Sequence, residues 1–267
     1  MKLLALDTAS ELCSAALWLE GQLLTRETHA PRAHAELILP MIDDLLAEAG
    51  LGLAALDAIA FGRGPGAFTG VRLAAAIAQG LGFAARRPLI GISDLRATAA
   101  QALAQSPGAT GALICQDARM EEVYWGCFER HPLPPDPSGP APAPGVPGAL
   151  GIRALGPEGV APAAAVQLPQ SWRAHAPAAA AAVVAAGSGL AAYPDLAHRL
   201  QSQVAACLPR LQPRAQEIAS LAAQDGLALA VAPEDALPVY LRDRVTADRA
   251  LAPDARAPDS ASTPRNS

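Results

Sequence analysis

Two places in the chain join an apolar run to an aspartate at a sharp turn: Leu3-Leu4-Ala5-Leu6 before Asp7-Thr8-Ala9-Ser10, and Ala112-Leu113-Ile114-Cys115-Gln116 before Asp117-Ala118-Arg119. A strand that ends this way and turns into a hairpin can hold phosphate on backbone amides and magnesium on the carboxylate. An aspartate can equally just close a strand and make a turn. Ala9 stands where such a loop usually has glycine, and its Cβ would crowd a phosphate that backbone amides must approach closely. A third candidate is Gly62-Arg63-Gly64-Pro65-Gly66-Ala67-Phe68-Thr69-Gly70, with four glycines directly before a helix. Free amides and the positive end of a helix dipole would meet an anion there. The loop lacks the lysine of a P-loop and the spacing of a dinucleotide fingerprint. Its other reading is a tight strand-to-helix connection, because Gly70, Ala74, Ala78 and Gly82 recur every four residues on one side of the helix.

Hydrolytic and metal chemistry find no support. There is no GxSxG elbow and no HExxH, and His29, His34, His131, His175 and His198 include no pair four apart. His34 opens a helix, where capping or surface contact suits it better than catalysis. Cys13, Cys115, Cys127 and Cys207 form no CxxC pair and read as small buried apolar residues. Neither a catalytic residue nor a metal site is expected.

These loops need elements to hold them. A strand at 3–6 leads to a hairpin of 12–19 and 22–28. Leu37, Ile38, Met41, Ile42, Leu45, Leu46 and Ala49 then recur at helical spacing opposite Glu36, Asp43, Asp44 and Glu48, which predicts an amphipathic helix over 34–49. A strand at 58–61, a helix over 70–84 and a strand at 89–92 follow. Strands alternating with helices predict an α/β architecture, and the runs at 112–117 and 123–128 repeat the opening in outline. Further elements are expected at 182–186 and 215–224. Residues 131–148 hold eight prolines and three glycines, a composition that cannot build a sheet interior and predicts an exposed insertion. The tail 247–267 is rich in Ala, Asp, Arg, Pro and Ser and is expected to be disordered.

At 267 residues and 51% apolar the chain can fill one or two cores, and a net charge of −5 offers no field to draw in a polyanion. That disfavours a stand-alone nucleic-acid binder. Only four apolar residues separate Lys2 from Asp7, too few for an export signal, and the longest apolar run, 178–193, is cut by Gly187-Ser188-Gly189. A cytoplasmic protein with no membrane span is expected.

Four segments carry a family resemblance: LLALDTASELCSAALW from Leu3 to Trp18, GRGPGAFTGVR from Gly62 to Arg72, DARMEEVYW from Asp117 to Trp125, and PVYLR from Pro238 to Arg242. Together they resemble the bacterial TsaB (YeaZ) family, well over residues 1–130 and more loosely over 183–246. The resemblance implies a two-lobed actin/Hsp70-like (ASKHA) fold with duplicated mixed-sheet lobes at 1–106 and 107–246. It implies a non-catalytic subunit of the machinery that places threonylcarbamoyl on the tRNA adenosine next to the anticodon. The implied partners are a TsaD-type catalytic paralogue, a TsaE-type ATPase and, when the chain is alone, a second copy; tRNA would be met only through the complex.

The catalytic paralogue carries two metal-binding histidines four apart, and the corresponding positions here are Asp94 and Thr98, a poor set for a transition metal. A peptidase reading is disfavoured with it. Asp7, Thr8, Gly64, Gly66 and Asp117 become vestigial phosphate loops, with no cofactor required and a nucleotide at the complex interface left open. The resemblance puts the partner interface on the helices at 34–49 and 70–84, through Leu37, Ile38, Met41, Ile42, Leu45, Leu73, Ala74, Ile77 and Leu81. Burial of the same residues inside their own lobe is the alternative. The competing function is a nucleotide-dependent enzyme, an ATPase or small-molecule kinase of the same fold, which would need glycine near Ala9.

Overall fold

The computed structural model describes residues 1–132, 150–173 and 182–242. Strands β1 (Lys2–Asp7), β2 (Leu12–Leu19) and β3 (Gln22–His29) form an antiparallel meander. Helix α1 (His34–Glu48) follows, then β4 (Ala58–Gly62), α2 (Phe68–Ala85), β5 (Leu89–Ile92) and α3 (Asp94–Gln105). β4 and β5 add in parallel, so the first sheet runs β3-β2-β1-β4-β5. The second half repeats this plan. β6 (Gly111–Arg119), β7 (Glu122–Pro132) and β8 (Leu150–Ala154) form its meander, with β9 (Gly159–Pro162) also on β7. After the short helix α4 (Gln170–Arg173) come β10 (Val183–Ala186), α5 (Gly189–Ala192), α6 (Pro194–Gln201), β11 (Ala206–Leu208) and α7 (Ala215–Asp225). The order β8-β7-β6-β10-β11 matches the first sheet strand for strand.

Period-two alternation divides each sheet between two cores. Leu3, Ala5, Ala58, Ala60, Ile90 and Ile92 of the first sheet, and Ala112, Ile114, Val184 and Ala186 of the second, turn toward one shared core with α3 and α7. Leu4, Leu6, Leu17, Ile59 and Phe61 face the other way, onto α1 and α2. Leu113, Cys115, Val183 and Ala185 face out onto α5 and α6. The molecule is thus five layers deep, helices on both outer faces and between the sheets.

The central layer ties the two lobes together. The second lobe expected at 107–246 would include α7, but the first amide of α7 is capped by Ser14 Oγ of β2 at 2.9 Å, and the helix covers the first sheet. Arg96 of α3 then grips Asp225 at the end of α7 through both guanidinium nitrogens, at 2.5 and 2.8 Å, and donates Nε to the Ile152 carbonyl of β8. The chain after α7 stays on the first lobe: Leu89 and Val231 exchange both backbone hydrogen bonds, and Gln79 of α2 donates to the Ala236 carbonyl. α7 and the chain that follows it thus pack on the first sheet, as α3 packs on the second.

The expected proline-rich insertion needs a correction at its start. His131 and Pro132 are not loop; they end β7, paired with Gly151 and Leu150. The rest of that segment and the tail 247–267 lie outside the described residues.

Candidate functional site

β1 delivers Asp7 and Thr8, both buried, to the junction between the lobes, where the Gly62–Gly70 loop closes over them. The loop is built for packing. A Cβ on Gly70 would overlap the Thr8 carbonyl, and Thr8 Oγ1 donates back to the Gly70 carbonyl at 2.7 Å. A Cβ on Gly66 would lie 2.6 Å from the Ala9 carbonyl oxygen and 2.8 Å from the Ala9 Cβ. Gly64 takes φ +98° and would meet the Val239 carbonyl at 2.8 Å, so it needs both glycine's freedom and its lack of a side chain. Three amides of these loops are engaged within the chain: Ala9 N–H donates to Asp7 Oδ1 (2.9 Å), Gly64 N–H to Asp94 Oδ2 (2.6 Å) and Ala67 N–H to the Ala9 carbonyl (2.8 Å). Gly64, Gly66 and Gly70 are thus places of close backbone packing.

Asp94, at the start of α3, turns its carboxyl toward that of Asp7, and neither residue is exposed at all. A Cβ on Gly62 would come within 2.5 Å of Asp7 Oδ1 and closer still to Asp94 Oδ1, so the glycine makes room for both. Burial pushes both carboxyls upward, and the charge of Asp7 adds to the rise at Asp94. Across the junction Ser93, whose Oγ caps α3 by accepting from Arg96 N–H at 3.2 Å, also donates to Glu158 from the second lobe. Burial raises the Glu158 carboxyl, while the Ser93 hydrogen bond, Arg63 and Arg96 oppose the rise.

The second turn is occupied by its own neighbours. Asp117 Oδ1 accepts from Arg119 N–H (2.8 Å) and from the Tyr193 hydroxyl (2.9 Å), and Asp117 N–H donates to Ser188 Oγ (3.0 Å). Gln116 Oε1 accepts from Ser188 N–H and Oγ, while its Nε2 donates to Thr98 Oγ1 at 3.0 Å and so bridges the lobes. Thr98, the other position aligned with a metal-binding histidine, is a buried link in this network. Gln116, Ser188, Glu158 and Tyr193 carry no mark in the sequence beyond proximity: Gln116 precedes Asp117, and Ser188 lies in a Gly-Ser-Gly that reads as a chain break.

The outer helices divide the expected partner residues in two. Ile38, Ile42, Leu45 and Ala74 are 0 to 1% exposed beneath α1 and α2, which corrects their assignment to a partner surface. Each such aliphatic side chain contributes roughly 1.5–3 kcal/mol by leaving water within its own lobe. Leu37, Met41, Leu73, Ile77 and Leu81 are half-buried, and Leu39, Phe68 and Phe83 are exposed at 44, 43 and 59%. Helix α2 has a mean hydropathy of 1.3 over 18 residues, enough by length and composition to cross a membrane, yet its Ala74, Ala78 and Gly82 lie against the sheet. Val71, Ala74, Ala75, Ala78 and Gly82 are its buried residues, while Leu73, Ile77 and Leu81 are half-buried and Phe83 is exposed.

The segment 238–242 straps this face to the second lobe. Val239 N–H donates to the Arg63 carbonyl at 2.7 Å, and the Tyr240 hydroxyl accepts from Arg72 Nε at 2.8 Å. The Arg72 guanidinium lies 3.6 Å above the Phe68 ring, and Arg242 pairs with Glu122. All four sequence motifs thus converge on one junction.

Two mixed sheets of identical strand order, a helix pair between them and aspartate turns at the junction define a two-lobed α/β protein of the actin-like type. A family model described as "TsaD: tRNA N6-adenosine threonylcarbamoyltransferase" matches residues 27–249. The tRNA threonylcarbamoyladenosine biosynthesis protein TsaB of Escherichia coli (strain K12) is 48% identical over 130 residues, and that of Haemophilus influenzae 50% over 136. Those matches span 49 and 51% of this chain and 56 and 57% of the relatives, so the chain spans little more than half the length of each. A Pseudomonas aeruginosa structure described as an uncharacterized protein with similarity to peptidase YEAZ is 43% identical, with a TM-score of 0.71 over 90% of this chain and 99% of that one. A second, described as YeaZ from the same organism, is 39% identical, with a TM-score of 0.70. The chain belongs to the TsaB (YeaZ) family, within the wider family that the TsaD model describes.

Proposed function

We propose that this chain is a non-catalytic docking subunit of the machinery that transfers threonylcarbamoyl to the tRNA adenosine next to the anticodon. It pairs through the outer face of α1 and α2 with a TsaD-type catalytic relative, and with a second copy of itself when that relative is absent. The observation that carries this reading is the exposure of Leu39 and Phe83, with Leu37, Met41, Ile77 and Leu81 half-buried, on two helices whose inner faces are already packed. A patch of this kind marks a protein–protein contact. The junction between the lobes supports the non-catalytic half of the reading, since Asp7, Thr8, Gln116 and Asp117 bind their own chain, and Ala9 occupies the place of a phosphate-loop glycine. An ATPase or kinase of this fold would need those groups free for nucleotide. On this reading the chain needs no cofactor of its own, meets tRNA and a TsaE-type ATPase only within the complex, and works in the cytoplasm.

The test is reconstitution. The purified chain alone should transfer no threonylcarbamoyl to tRNA and bind no ATP, and adding it to the TsaD-type relative, the ATPase and the adenylate donor should restore transfer. Transfer by the isolated chain, or full transfer by the other components without it, would sink the reading.

A further inference from the structure

We propose that the carboxyls of Asp7 and Asp94 share a single proton, and that this proton-bound pair is the clasp holding the Gly62–Gly66 loop and the start of α3 to the end of β1. The argument is independent of the docking role. Each carboxyl has one oxygen fixed by a backbone amide, Asp7 Oδ1 by Ala9 and Asp94 Oδ2 by Gly64. The other two oxygens, Asp7 Oδ2 and Asp94 Oδ1, are buried and have no donor among the described residues. The two carboxyls nevertheless crowd one point, since a Cβ on Gly62 would lie 2.5 Å from Asp7 Oδ1 and closer still to Asp94 Oδ1. Two ionised carboxylates cannot hydrogen-bond, because both only accept; one proton between them turns a repulsive contact into a charge-assisted bond and satisfies both orphan oxygens.

The surroundings favour that proton. Asp94 and Asp7 bear on each other, and Glu158, reaching in between β8 and β9, adds negative charge toward Asp94. Cys13 of β2 lies near Asp7 as a neutral thiol, its own proton held more tightly by burial and by that carboxylate. Arg63 and Arg96 offset Glu158. Gly62 and the buried hydroxyl of Thr98, which donates to the Asp94 carbonyl at 2.9 Å, complete the enclosure.

Burial raises the pair's proton affinity above that of the unfolded chain, so the folded state holds a proton that the unfolded state has lost. The stability this contributes is fully present below the ordinary carboxylate range, at about pH 4. It is lost as pH rises through the folded value, at about tenfold in the folding equilibrium per pH unit for one proton.

Asparagine at either position separates the possibilities. In Asp94→Asn the amide nitrogen takes the place of Oδ1 and donates to Asp7 Oδ2; in Asp7→Asn it takes the place of Oδ2 and donates to Asp94 Oδ1. Each single variant replaces the proton with a permanent donor, so each should fold and lose about one proton's worth of pH slope in urea unfolding between pH 5 and 9. The double variant sets two donors face to face and should be less stable than either single. Infrared spectra of the wild-type chain at neutral pH should show the C=O stretch of a protonated carboxylic acid, retained in Glu158→Gln and absent from both single variants.

The clasp is refuted if the wild-type chain lacks that band or if the single variants keep its pH slope. A double variant more stable than the singles would mean plain repulsion between two anions. Stabilisation of the wild type alone by magnesium or calcium at fixed ionic strength would mean that a cation, not a proton, joins the pair.

Discussion

Arg242 donates to the Glu122 carboxylate across the lobe junction, a bond between residues 120 apart in sequence. The same guanidinium reaches the Arg119 carbonyl, on a hairpin where Arg119, Met120 and Glu121 all take positive φ. Non-glycine residues lose roughly 1–2 kcal/mol each in that region, so the hairpin tip depends on partners that hold it. Arg242→Ala should lower stability by about 1–2 kcal/mol, which for a chain of this size is a fall of roughly 2–8 °C in the thermal midpoint. In a double-mutant cycle with Glu122→Gln the two losses should fall short of additive. Strict additivity would show that the pair contributes nothing as a pair.

Two glycine-to-alanine substitutions within α2 should have opposite signs. Gly70→Ala would drive a methyl into the Thr8 carbonyl, backbone that cannot swing aside, and should cost about 1–3 kcal/mol or more. Gly80 has nothing within 4 Å of where a methyl would sit and is exposed in the helix, so Gly80→Ala should stabilise by roughly 0.5–1 kcal/mol through helix propensity. Chemical denaturation of the isolated variants measures both; equal effects would mean that the close approach at Gly70 is not real.

The contrast between α1 and α3 shows why part of this fold was legible and part was not. Helix α1 has water on one side, so Ile38, Ile42, Leu45 and Leu46 alternate with Asp43, Asp44 and Glu48 and announce a helix. α3 lies between two sheets and buries Asp94, Thr98 and Gln101 along with Leu95, Ala99 and Leu103, so no polar stripe marks its period. The same central packing hid the allegiance of α7, whose apolar pattern is plain but whose partner sheet is set by contacts some 200 residues away, such as Ala215 to Ser14. At the junction the aspartates and glycines stood out by type and spacing. What they touch did not, because Asp94, Gln116 and Glu158 come from separate turns that only the folded sheets bring together.

The four thiols should be largely silent in the native chain. Burial pushes Cys13 up to about 11 and Cys127 up to about 12, with Cys115 higher still. Cys207 on the edge strand β11 is raised too but is partly exposed. Since the thiolate is the reacting form, a thiol reagent at pH 8 should modify at most one cysteine quickly, and Cys207→Ser should abolish that reaction. All four should react in urea. Fast modification of Cys13 would reveal an opening at the start of β2, an interior strand, that the packing does not allow.

The partner face can be separated from the core beneath it by placing glutamate at three depths. Leu45 is fully buried, and a charge there has neither water nor a mate, so Leu45→Glu should abolish folding of the first lobe. Leu39 and Phe83 are exposed, and glutamate at either should leave the thermal midpoint of the isolated chain within a few degrees. Met41 and Ile77 sit between, packed against the core on one side and open on the other, so Met41→Glu and Ile77→Glu should cost some stability. If α1 and α2 dock a helical partner, the exposed and rim variants alike bury a charge in the complex and should weaken pairing by well over tenfold, read by sedimentation of the chain alone and by titration against the TsaD-type relative. Loss of pairing with folding intact at Leu39 and Phe83 identifies the interface. Unchanged affinity at all four positions would mean that the partner binds elsewhere.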